Sequence, residues 1–191
     1  MIYTRVNFGI YLLNTGASMK RRLREQEVVI VQAGEAHNEA LESCLAQINS
    51  MLRAMHLWFH AAHNTVYGMP FMGDHKLYEE IYENIQNEID DFIERSIGLT
   101  RNQSMGCPIK ITAAAEKMLA ALPSPSALEG CGISETGRDI VEAYLELLEI
   151  TYEKLSGSGH MSLGLDDLMS SSANTHERYF YLLNQRATKN R

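Results

Sequence analysis

The chain is short of the residues that cross-link, break or stiffen a fold. Its three cysteines, Cys44, Cys107 and Cys131, are an odd number and none stands in a CxxC spacing. A disulfide framework is therefore not expected, and a reducing, cytoplasmic setting fits. Four prolines in 191 residues leave room for long unbroken helices. The apolar run near the start is short and carries Arg5 and Asn7, so no transmembrane helix is expected. The same stretch, ending in Gly16, Ala17 and Ser18, resembles a signal peptide only weakly, and secretion is not expected. No internal repeat or low-complexity tract is present.

Acidic residues are missing from one end. Residues 1–24 hold Arg5, Lys20, Arg21, Arg22 and Arg24 and no carboxylate. Of the 17 basic residues 12 remain to face 24 acids, so a net charge of −7 conceals a body at −12. A basic arm on an acidic body is a recognised pattern. The body attracts cations and repels nucleic acid; the arm does the reverse, and Lys20, Arg21, Arg22 and Arg24 are candidate contacts for DNA phosphates. Residues 1–30 read as a mobile basic extension and residues 31–191 as one domain. Lys189 and Arg191 make a second, weaker basic tail.

What is present is helical periodicity. Leu41, Cys44, Leu45, Ile48, Leu52, Met55, Phe59 and Ala62 recur at three-and-four spacing, which predicts a helix over 34–65. Gly68 and Pro70 end it. Asp74 is placed to cap a helix over 75–99, with Leu77, Ile81, Ile85, Ile89, Phe92 and Ile93 on its apolar face. Residues 109–122 predict a short helix, stopped by Pro123 and Pro125. A further helix over 134–155 carries Ile140, Ala143, Tyr144, Leu147, Leu148, Thr151 and Leu155, with Ser134 as a weak cap. The last spans 163–187, through Leu165, Leu168, Met169, Ala173, His176, Phe180 and Leu183. Four long helices, with a crossover between the second and third that holds its own short helix, specify an all-α, ferritin-like four-helix bundle.

The chemistry concentrates between His63 and Glu94. His75 and Glu79 are four apart, as are Asp90 and Glu94, so each pair shares a helix face. Imidazole with carboxylate and no thiolate suits iron, manganese or zinc and argues against a structural zinc site. None of the seven histidines has a Glu three residues before it, so the Glu-x-x-His signature of a metal centre inside one bundle is absent. Glu79 and Asp90 lie on nearly one stripe, yet about 16 Å apart along the axis. One ion cannot span that gap. Two copies around a two-fold axis can close it, His63, His75 and Glu79 of one facing Asp90 and Glu94 of the other, twice per dimer.

The spacing H-x11-H-x3-[DE]-x10-D-x3-E, followed by Arg95, resembles the Dps family of mini-ferritins. The likeness runs over residues 34–187 and includes the helix order, the crossover helix and the stretch HERYFYLL. It implies a homo-oligomeric, hollow dodecamer with iron sites at two-fold interfaces. It implies Fe(II) oxidation, preferably by hydrogen peroxide, storage of ferric mineral, and protection of DNA. Site residues carried over are His63, His75 and Glu79 from one subunit and Asp90 and Glu94 from the other. Asp166 and Asp167 fall where the family lines a three-fold ion pore. The chain departs from the pattern at Glu79, where the family more often has Asp, and at Asn64, where it often has Trp. Trp58, one to two turns earlier, is the one candidate replacement. A DNA-coating shell with weak or absent iron oxidation is the alternative. His56 and His60 are expected to serve packing or an interface, with metal ligation the lesser alternative, His176 the core or an inter-subunit contact, and His160 a loop without a role.

Overall fold

The computed structural model describes residues 19–69 and 71–188. Among these, five α-helices occur: α1 (Met19–Thr65), α2 (Phe71–Thr100), α3 (Pro108–Leu119), α4 (Gly130–Gly157) and α5 (Leu163–Ala187). The order matches the expected bundle, with α3 and two single 3-10 turns filling the crossover between α2 and α4. The described residues from Asn38 onward form one compact unit. Residues 1–18, which include Arg5 and most of the expected extension, lie outside the described residues, as do Lys189 and Arg191.

Helix α1 starts at Met19, well before the expected residue 34. The stretch has no proline and is rich in Arg, Glu and Gln, all good helix formers. The β-branched run Val28, Val29, Ile30 and Val31 disguises this, but extending an existing helix is cheap once it is nucleated. At its other end Gly68 takes φ +82°, a left-handed turn that lets Phe71 N–H reach the Gly68 carbonyl at 2.8 Å and open α2.

The apolar stripes close on one core. All eight expected positions of α1 are buried, from Leu41 to Ala62, as are Ile81, Ile85, Ile89 and Phe92 of α2. Ala143 departs from expectation: it is exposed, and its neighbours Val141 and Tyr144 carry the inner face of α4. Gly137 on α4 lets the rings of Phe59 and Trp58 come close, since a Cβ there would stand 3.0 Å from Phe59.

Inside the core each buried tyrosine hydroxyl has a partner, as the loss of water demands. Tyr78 meets Ser134 and Tyr144 meets Ser172, both at 2.8 Å. Asn84 donates to the hydroxyl of Tyr179. His176 Nε2 donates to Glu88 at 2.8 Å and is buried, as expected of a core histidine. Burial pushes the Tyr144 phenol well above its ordinary value and that of Tyr78 up to about 12, so both stay protonated donors. Ser134 is thus a core hydrogen-bonding group and not the cap of α4, whose N-cap is Glu129. The last helix has a true cap: Ser162 Oγ accepts from Leu165 N–H at 3.2 Å.

Asp74 also departs from its expected role. It sits in the first turn of α2, 3% exposed, and its carboxylate takes a forked pair of bonds from Arg186 at the end of α5, at 2.7 and 2.9 Å. Arg186 further reaches Cys131 Sγ at 3.2 Å, at the start of α4. One guanidinium therefore ties three helix ends together, and Asp74 raises its pKa further. Replacing Asp74 by Ala strands that charge. We expect a loss of about 2–4 kcal/mol in urea unfolding at fixed protein concentration, the lower side of a buried pair because Arg186 keeps 21% exposure. A change within about 0.5 kcal/mol, as at an ordinary surface site, contradicts this role.

Candidate metal half-sites

The α1–α2 turn brings His63 and His75 face to face. Their ring centroids are 3.8 Å apart with planes 23° from parallel. His63 Nδ1 lies 3.0 Å from the His75 carbonyl, and His75 Nδ1 lies 2.9 Å from the His63 carbonyl. A carbonyl only accepts, so each Nδ1 carries the hydrogen. The His63 carbonyl is among the last four of α1, which lack helical partners, so the bond also satisfies the helix end. In the neutral rings both Nε2 atoms are left with a lone pair, the form that ligates a metal. The donor set therefore fits a borderline divalent ion.

Glu79 stands one turn beyond His75 and is ion-paired with Lys76 at 2.6 Å. The Lys76 hydrogen bond, aided by the Lys76 charge, holds its carboxyl below the ordinary value. The carboxylate thus stays charged, with an ammonium where a metal cation would be attracted. Phe71 also packs against His75, ring centroids 4.9 Å apart.

Tyr82 completes this end and was not singled out in the sequence. Its ring lies 5.3 Å from His63, nearly edge-on at 70°, 4.8 Å from His60 and 6.0 Å from His56. The available signal was its position, seven residues after His75 and three after Glu79, hence on the same face. Trp58 does not replace the tryptophan lacking at Asn64. It is 2% exposed, and its Nε1–H donates to the Pro123 carbonyl at 3.0 Å on the core side of α1.

Asp90 and Glu94 are exposed on the far part of α2. Because α2 runs unbroken from Phe71 to Thr100, the eleven residues from Glu79 to Asp90 correspond to about 16 Å of rise. Among the described residues no three His, Cys, Asp or Glu side chains gather closely enough to hold a metal. One chain thus brings His63, His75 and Glu79 to one end of α2 and leaves Asp90 and Glu94 at the other. Glu94 lines a surface hollow of about 560 Å³ with Arg95, Gly164 and Asp167, joining α2 to the start of α5. A side chain at Gly164 would collide with the Arg95 guanidinium. Asp166, in the first turn of α5, lies by the Tyr152 hydroxyl and raises its pKa. Lys20, Arg21, Arg22 and Arg24 fall on the helical backbone of α1, but their side chains are outside the described residues. Among the described residues no helix is long and apolar enough to cross a membrane.

No protein-family model matches the sequence, and no curated protein does. Solved structures do. Dps from Thermosynechococcus elongatus superposes with a TM-score of 0.71 at 23% identity, over 83% of this chain and 96% of that one. Dps from Vibrio cholerae O1, described as a member of a broad superfamily of ferritin-like diiron-carboxylate proteins, gives 0.66 at 20% identity, over 78% and 90%. Dps from Mycobacterium smegmatis gives 0.65 at 17%, over 78% and 86%. The chain therefore has the ferritin-like four-helix bundle. Within that class its fold is that of the Dps structures.

The hydrogen bonds of the pair fix an observable. In metal-free protein labelled with 15N-histidine, magic-angle-spinning NMR at neutral pH is expected to show His63 and His75 with the hydrogen on Nδ1. Rings that lack the hydrogen on Nδ1 would contradict the reciprocal lock.

Proposed function

We propose that this protein oxidises Fe(II), with hydrogen peroxide as the preferred oxidant, at sites completed between two-fold-related copies, and stores the ferric product inside a hollow shell of twelve. The observation that carries this reading is the locked His63–His75 pair, held with free Nε2 lone pairs and separated from Asp90 and Glu94 by the length of α2. The Dps-type fold supports it. So does the corner beside the pair, where Tyr67, Met69 and Met72 are 65%, 97% and 63% exposed. An apolar surface of this kind suits coverage by another copy.

The chain's residues divide the work. Asp90 and Glu94 of one copy supply hard carboxylate oxygens to the iron substrate. His63 and His75 of the other supply imidazole nitrogens that need no reorientation on binding, because their Nδ1 hydrogens are already committed. Glu79 exchanges the Lys76 ammonium for the metal, so its longer side chain, compared with Asp, is anchored until iron arrives. Two Fe(II) ions each lose one electron and one peroxide takes both. Its O–O bond breaks and, with two protons, yields two waters. Pairing the electrons withholds the single-electron product, hydroxyl radical. Asp166 and Asp167 serve cation entry, and acidic groups of the inner surface receive Fe(III).

Complementation tests the shared site. His63→Gln/His75→Gln and Asp90→Ala/Glu94→Ala proteins are each expected to oxidise Fe(II) no faster than buffer. Assembled at random from equal amounts, they regain about a quarter of the wild-type sites, because half the dimers are mixed and each has one intact site of two. Sites confined within one chain would recover nothing.

The charge split supports a second role for the same shell, DNA binding through Lys20, Arg21, Arg22 and Arg24, which would keep the oxidant-consuming site near DNA. Gel shifts over a salt series are expected to weaken with salt and to vanish when residues 1–24 are removed. Retention unchanged by that deletion would exclude the arm.

A further inference from the structure

Helix α1 carries two more imidazoles above the locked pair. His56, His60 and His63 follow at i, i+4 and i+7, one stripe of the helix. His60 is exposed and His56 half-buried, with ring centroids 6.1 Å apart and planes 41° from parallel. Neither is bonded as His63 and His75 are. His56 Nδ1 is buried without a hydrogen-bond partner, an arrangement that calls for an explanation in a packed protein.

We propose that His56 and His60 form a second cation site, distinct from the His63–His75 half-site, for a late first-row divalent ion of the zinc and copper class. Histidines one turn apart on a helix chelate one ion, the geometry used by helical zinc motifs. With about 2.0–2.1 Å from nitrogen to metal, two rings at this separation can share an ion once each turns a nitrogen inward. The ion supplies the electrophile that the buried His56 nitrogen lacks. Two nitrogens and no carboxylate select ions that favour imidazole over magnesium or calcium, which require oxygen. Water fills the remaining positions, since no third ligand stands with the pair among the described residues.

The surroundings keep the His56 ring neutral, the form that can ligate. Burial first, then Arg53 and His60, lower the His56 pKa, so this ring is unprotonated and ready to ligate. Arg53, the opposing positive charge, lies within hydrogen-bonding distance of Gln86 at 3.4 Å. On the other side Tyr82 packs on both rings. Its phenol is raised by burial and then by the negative charges of Glu83 and Glu79. A cation bound here lies against the aromatic ring that also touches His63.

Trp58, the one tryptophan, lies between His56 and His60 in sequence and reports on the site. The assembled His63→Gln/His75→Gln protein is titrated with copper(II), whose unpaired electron quenches a nearby indole. Quenching is expected to saturate at one ion per chain, to reverse with chelator and to be indifferent to excess magnesium. Adding His56→Gln/His60→Gln should raise the copper needed for half-quenching about tenfold or more. Equilibrium dialysis with zinc should count one ion fewer per chain. Unchanged circular dichroism controls for folding. Titrations that coincide with and without His56 and His60, or binding lost entirely with His63 and His75, would overturn the proposal. The outcome is separable from the iron reading: a protein inert toward Fe(II) can still show the copper and zinc response.

Discussion

The molecule depends on the straightness of α2. An unbroken helix separates its residues by a fixed rise, and no side chain of Glu79 or Asp90 is long enough to cancel about 16 Å of it. The ligand-type residues are therefore paired locally and divided globally. His63, His75 and Glu79 collect at the α1–α2 turn, while Asp90 and Glu94 face outward elsewhere. Bending α2 would join them but would break the buried row of Ile81, Ile85, Ile89 and Phe92 that holds the bundle together. Core packing and a self-contained metal site are thus in conflict, and packing prevails.

The histidine pair is nevertheless held in place. Reciprocal Nδ1–H bonds use carbonyls that the turn supplies, one of them an orphan of the α1 terminus. The rings lose little freedom on meeting a ligand because they have already lost it on folding. The same end of the bundle is clamped by Arg186, which reaches Asp74 beside His75 and Cys131 on α4. The pair rests on a corner fixed from three helices, and its rigidity comes from tertiary bonds.

Charge is handled in the same economical way. Lys76 neutralises Glu79 in the separate chain, so the carboxylate is not left facing two imidazoles alone. Apolar side chains at Tyr67, Met69, Phe71 and Met72 remain exposed next to it. The Glu79 charge is answered within the chain, whereas the apolar surface is left uncovered. Under the proposed function, that asymmetry fits a surface completed by a second copy.

Much of the fold was legible in the sequence, since three-and-four spacing from Leu41 to Ala62 needs only helical geometry to become a buried face. The early start of α1 was not, because the β-branched run at Val28–Val31 masks cooperative extension from flanking helix formers. Asp74 and Ser134 show the common failure: both have the chemistry of helix caps, and both are drawn instead to partners far along the chain, Arg186 and Tyr78. Residue spacing by itself determined that His75 and Glu79 share a face and that Asp90 and Glu94 cannot join them, because the rise per residue is a property of any α-helix. Only the tertiary structure decided that His63 and His75 lock each other by Nδ1–H bonds and that Tyr82 and not Trp58 faces the pair. Those arrangements depend on how one helix meets the next, which local spacing does not contain.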